Sequence, residues 1–154
     1  MTSTSLPRRR LLGAALLAPL AAAATTRPKP LVDVWKSPSC GCCKDWIAHL
    51  EANGFATKAH DVGNTGMRGR LGITAALGSC HTALIGGYAI EGHVPAADIR
   101  RLLAERPNAL GLAVPGMPVG SPGMDGAIYG ERRDHYDVLL VSRDGGTRVF
   151  NSYR

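Results

Sequence analysis

Aromatic residues make up only 5% of this 154-residue chain. Hydrophobic residues stand at 45%, so a core can form, and it must be mostly aliphatic. Acidic residues are missing from positions 1–24, which hold Arg8, Arg9 and Arg10. Removing that segment lowers the formal charge from +6 to +3, so part of the basic excess belongs to the leader. No basic stripe interleaved with aromatics is present, which argues against nucleic-acid binding. A bilayer span needs about 20 apolar residues, and the longest apolar run, after Arg10, has about fourteen. A stable membrane span after removal of the leader is therefore not expected.

The leader itself has a recognisable form. Arg8-Arg9-Arg10-Leu11-Leu12 opens the apolar run, which ends in Ala21-Ala22-Ala23-Ala24. A basic start, a short apolar centre and an Ala-x-Ala end make a secretory signal over residues 1–24. The Arg-Arg-x-Leu-Leu order suits twin-arginine export. Export puts the mature chain in the periplasm, where free thiols tend to oxidise. The four cysteines are then disulfides, metal ligands or redox groups.

Residues 25–30 read as a linker ending in Pro28-Lys29-Pro30, followed by a domain over 31–106. Leu31 to Trp35 reads as a strand and Cys42 to about Asn53 as a helix, with Trp46, Ile47 and Leu50 on one apolar face. Phe55 to Val62 is a second strand and Asn64 to Leu71 a short helix. Thr82 to Ile90 divides at Gly86-Gly87 into a tight hairpin. Pro95 opens a helix to about Glu105, since its missing N–H would be unpaired in the first turn anyway. Residues 107–126, rich in Pro and Gly, are expected to lack regular structure and wrap the surface. Within them Pro115-Gly116-Met117 is echoed by Pro122-Gly123-Met124. Tyr136 to Ser142 and Thr147 to Asn151 flank Asp144-Gly145-Gly146 and form a final hairpin, so 107–154 extends the same domain. The fold class is α/β. The order β-α-β-α-β-β-α with a CxxC at the first strand-to-helix junction is the thioredoxin-like arrangement.

The chemistry concentrates in Cys40-Gly41-Cys42-Cys43 and Cys80. A helix N-terminus has free N–H groups and a partial positive charge, and both favour thiolate. Cys40 and Cys43 share one side of the first turn. Cys42 would point about 200° away from Cys40 in a continuous helix. Convergence of all three therefore requires Cys40 on a non-helical approach, which Gly41 permits. In thioredoxin-like folds the loop before the third strand carries a cis-proline that screens the dithiol. Here that loop is Gly78-Ser79-Cys80-His81-Thr82, offering a thiol and an imidazole instead. Four soft sulfurs select copper(I), zinc or an iron–sulfur cluster. Three cysteines in four residues crowd a single tetrahedral zinc and suit several thiolate-bridged copper(I) ions better. Met117 and Met124 are candidate thioether ligands and His81 a candidate ligand or neighbour of one.

These motifs resemble the CopG-type family of periplasmic copper-resistance proteins. The likeness runs through Ser79-Cys80-His81-Thr82-Ala83, Glu91-Gly92-His93-Val94-Pro95-Ala96, and Gly111 to Pro118 into Gly120-Ser121-Pro122-Gly123-Met124. The resemblance implies a thioredoxin-like domain holding a cysteine-bridged copper(I) cluster on Cys40, Cys42, Cys43 and Cys80. It also implies a role in copper resistance or copper redox handling, with other envelope copper-handling or redox proteins as partners. Two alternatives stand beside it. One is a thiol–disulfide oxidoreductase with Cys40 as nucleophile, Cys43 resolving, and Cys42 and Cys80 in reserve. The other is a zinc-centred structural or partner-binding domain. Two structural disulfides are disfavoured because adjacent Cys42 and Cys43 cannot easily both find good partners. Of the remaining residues, Trp46 is expected to shield the site, His93 to be structural, His49 solvated, His60 and His135 superficial, and Met67 part of the core.

Overall fold

A computed structural model describes residues 1–2 and 28–154. Residues 3–24 of the predicted leader and 25–27 of the predicted linker lie outside the described residues. The chain forms β1 (Leu31–Lys36), α1 (Gly41–Ala52), β2 (Ala56–His60), α2 (Thr65–Arg70), β3 (His81–Ile85), β4 (Tyr88–Glu91) and α3 (Ala96–Glu105). It continues into β5 (Gly111–Ala113), β6 (Tyr136–Val141) and β7 (Thr147–Tyr153). This is the expected element order, with one strand added. The seven strands form one sheet in the order β2-β1-β3-β4-β5-β6-β7. β1 and β2 are parallel across α1, while β3 runs antiparallel to β1 and to β4. Among the described residues no helix is long and apolar enough to cross a membrane.

Alternation along the strands sorts the core into two faces, because successive strand side chains point to opposite sides. Val32 and Val34 of β1, Ile90 of β4, Leu112 of β5 and Leu140 of β6 face the main core with Trp46, Leu50, Ile99 and Leu102 from the helices. Ala89, Ala113 and Val141 face the other way and meet Ile73, Leu71, Leu77 and Leu110. Burying each large aliphatic side chain contributes roughly 1.5–3 kcal/mol. The helices are therefore held to the sheet by ordinary apolar packing, and the polar site is built on top of that scaffold.

Residues 107–126 depart from expectation. They hold β5, which pairs parallel with β4 and antiparallel with β6. Leu112, Ala113 and Val114 are all fully buried. A side chain on Gly111 would lie 1.7 Å from the Ala89 carbonyl oxygen, so only glycine allows this approach. The terminal hairpin joins the sheet through β5 and forms one edge of it. Two side chains also depart from their expected roles. Met67 is half-buried on α2, a helix with no buried residue, and so is not core. His49 is half-buried rather than solvated, and its Nε2 accepts the Ala96 N–H at 3.1 Å. It thereby satisfies a free donor at the start of α3, where Pro95 is the cap rather than the first helical residue. His60 stacks on Trp35 and bonds Asp33, half-buried, while His135 is exposed as expected.

Candidate metal centre

The topology gathers one end of the sheet. Chain leaving the ends of β1, β4 and β5, and chain entering β3, all meet there. Those four segments carry Cys40–Cys43, His93, the two Pro-Gly-Met turns, and Cys80 with His81.

Cys40 is the N-cap of α1, with extended backbone at φ −73° and ψ 102°. Its Sγ accepts the Cys43 N–H at 3.3 Å. The non-helical approach required for convergence is therefore supplied by Cys40 itself. Gly41 carries no positive φ and has open space around it, so the turn does not depend on it. Cys40 and Cys43 are joined as a disulfide, while Cys42 and Cys80 are free. The Cys42 sulfur lies 3.6 Å from that of Cys40 and 3.6 Å from that of Cys80. All four sulfurs lie within 4.8 Å of one another. Reduction of the one bond leaves four soft donors at spacings that thiolates sharing metal ions can use. The donor set fits copper(I) in number and chemistry.

The Cys80 thiol is strongly perturbed. Burial pushes it up to about 12, and the neighbouring Cys42 sulfur pushes in the same direction. It keeps its proton at neutral pH until a cation displaces it. The loop before it is held by a buried polar network. Glu91 is fully buried and accepts from the Ser79 N–H at 2.7 Å, Arg68 Nε at 2.8 Å and the Thr82 hydroxyl at 2.5 Å. Arg68 Nη2 and Asn64 Nδ2 donate to the Ser79 carbonyl at 2.7 and 3.1 Å. Residues of α2, β3 and β4 thus fix the residue next to Cys80.

Two histidines flank that thiol, and the one expected to be structural comes closer. His93 Nε2 lies 3.1 Å from the Cys80 sulfur, and its Nδ1 lies 2.8 Å from the Pro122 carbonyl. A carbonyl only accepts, so Nδ1 carries the proton and Nε2 presents a lone pair to Cys80. Backbone orientation of this kind is what metal-ligating histidines use. His81 Nδ1 lies 3.4 Å from the same sulfur, while its Nε2 is buried without a partner among the described residues. Trp46 covers it, with ring centres 4.2 Å apart, and donates its own N–H to the Val94 carbonyl. Cys80, His81 and His93 form a second group of donors within 4.8 Å. The signal for His93 lay in topology, since the end of β4 must meet the end of β1 across β3.

The segment after β5 closes the site from both sides. Gly116 N–H donates to the Gly78 carbonyl at 3.0 Å, and the Ser79 hydroxyl donates to the Gly116 carbonyl at 2.5 Å. The second turn sits on the first turn of α1, where Gly123 lies against the Cys42 carbonyl and the Trp46 N–H. The two methionines then part company. Met124 is 8% exposed and its sulfur accepts from the Tyr129 hydroxyl at 3.3 Å. Met117 is 51% exposed and lines a cavity of about 410 Å³ with Arg68 and Cys80.

Burial lowers the proton affinity of three histidines in the metal-free chain. His81 falls well below the ordinary 6.5, and His49 and His93 fall below it, desolvation being the main cause for each. Their unfolded forms take up protons first, so native stability should fall as pH drops through 6.5 and keep falling toward the lowered native values. Urea midpoints at about pH 7.5 and about pH 5.5 check this, and a higher midpoint at the acid value contradicts it.

Comparison with known proteins adds three findings. Residues 77–124 match a family model described as a protein of unknown function, DUF411. A solved structure of copper resistance protein CopG, form 2, is 48% identical and covers 82% of this chain and 99% of its own, at a TM-score of 0.75. Form 1 is 50% identical and covers 81% and 98%, at a TM-score of 0.74. No curated protein sequence matches significantly.

Proposed function

The chain belongs to the CopG family of copper resistance proteins, and from that premise we propose that it holds several copper(I) ions on the thiolates of Cys40, Cys42, Cys43 and Cys80. The single observation that carries this reading is the gathering of all four sulfurs within 4.8 Å. Sulfurs that close can bridge neighbouring ions, whereas one zinc would leave the cluster crowded. His93 and His81 are the neutral donors nearest Cys80, and His93 is already oriented for the task by Pro122. The basic leader supports export to the cell envelope, and the element order over 31–106 supports the thioredoxin-like reading of the domain. The thiols take up copper, release their protons, and buffer the ion against other envelope partners.

Anaerobic titration of reduced protein with copper(I) against a chromophoric chelator tests this. Above one copper per chain is expected, with a lower stoichiometry in Cys80→Ser. One copper or fewer in the parent, or an unchanged count in the variant, overturns the reading. Elemental analysis after growth in copper separates it from a zinc-centred domain.

A second reading follows from the Cys40–Cys43 disulfide at a helix start. Oxidation of that pair to the disulfide releases two electrons, enough to reduce two copper(II) ions to copper(I), with Cys42 and Cys80 left to receive them. Reduced protein should then lose two thiols per two copper(II) added, and an unchanged thiol count excludes it. Insulin reduction by metal-free protein tests the plainer thiol–disulfide activity.

A further inference from the structure

The two Pro-Gly-Met turns have the same sequence and opposite fates. Met124 is packed, and a hydroxyl donates to its sulfur. Met117 is half-exposed and its sulfur accepts no hydrogen bond among the described residues. Exposure of one apolar side chain means little by itself, since much of any protein surface is apolar. Its surroundings give it meaning. The other sulfur-bearing residue that lines the cavity is Cys80. Gly116, its neighbour, is hydrogen-bonded at both its N–H and its carbonyl to Gly78 and Ser79. Met117 and Cys80 therefore sit on two backbone segments that hydrogen bonds tie together beside them. The charged side chain lining the cavity is Arg68, and Glu91 already balances it, so a cation is not repelled.

We propose that Met117 is the transfer ligand of the copper site: a soft cation passes between solvent and Cys80 through this cavity, held on the way by the Met117 thioether. The proposal rests on the reading of the four thiols as the copper site and assigns its door. A thioether is soft, neutral and carries no proton. It therefore binds copper(I) or silver(I) without the deprotonation that Cys80 requires. A weak ligand at the rim and strong ones within make a gradient that moves cargo inward, and the same thioether offers the first step out to a partner's ligand.

The test uses the full chain, silver(I) as a redox-inert probe, and methionine methyl groups labelled with carbon-13. The Met117 methyl resonance should move at low silver(I), while that of Met124 stays in place. Stopped-flow removal of copper(I) by a chelator should slow about tenfold in Met117→Leu, equivalent to about 1.4 kcal/mol on the barrier, and not in Met124→Leu. Copper stoichiometry should be unchanged in both. A static Met117 resonance, or parent-like removal in Met117→Leu, overturns the proposal. A drop in stoichiometry in Met117→Leu also overturns it, because Met117 would then be a resident ligand. Failure of the parent to load its thiols would instead sink the copper reading itself.

Discussion

Glu91→Ala is expected to destabilise the protein by about 3–5 kcal/mol, as removal of one partner from a buried ion pair does. Glu91 has no solvent exposure, and the guanidinium it faces, on Arg68, is 15% exposed. The substitution strands that charge, the Ser79 N–H and the Thr82 hydroxyl at once. Each buried donor left without an acceptor adds about 1–3 kcal/mol, though shared relaxation keeps the sum below simple addition. The damage falls beside the site, because Ser79 precedes Cys80 and the network is what holds that loop. Urea denaturation should show the loss, and copper stoichiometry should fall toward that of Cys80→Ser. A cost under about 1 kcal/mol would mean that water replaces the carboxylate, and would remove the network from the account.

Gly123→Ala attacks the other wall. The backbone there has φ +85°, and an added Cβ would sit 2.6 Å from the Cys42 carbonyl oxygen and 2.8 Å from the Trp46 nitrogen. Both obstacles are backbone atoms of α1, so they cannot swing aside. The left-handed conformation costs about 1–2 kcal/mol and overpacking a further 1–3 kcal/mol. The chain relieves this by lifting the second Pro-Gly-Met turn off the helix. That withdraws the Pro122 carbonyl from His93, which then loses its fixed tautomer beside Cys80. Gly126→Ala is the control, since nothing lies within 4 Å of its would-be Cβ. Gly123→Ala should lower both the unfolding midpoint and copper affinity, and Gly126→Ala neither. Equal behaviour of the two variants would show that the turn does not clamp the site.

Much of this was legible in the sequence because the signals were local. Apolar spacing marked α1 and α3, Gly86-Gly87 marked the hairpin, and clustered thiols marked the helix start. The meeting of Cys80 with the others followed from strand order. What was hidden depends on partners far along the chain. β5 has three residues and owes its existence to β4 and β6, so no periodicity could announce it. His93 and His49 look like ordinary polar residues until Cys80 and Ala96 are brought beside them. The methionine echo suggested equal roles, but the environments of Met117 and Met124 differ through a cavity and a tyrosine that lie outside the motif.

The walls of the site come from residues 40–43, 78–81, 92–94 and 116–124, which only the complete sheet holds together. An ion gripped by all of them binds the folded chain more tightly than the unfolded one, which keeps only the local cluster of Cys40, Cys42 and Cys43. Occupancy and folding then form one linked equilibrium, and each tenfold rise in free ion above its dissociation constant adds at most about 1.4 kcal/mol of stability. The melting temperature of such a chain becomes a gauge of the free ion around it. An empty copy is correspondingly the form most open to proteolysis, so the supply of the ion would also set how long the chain survives.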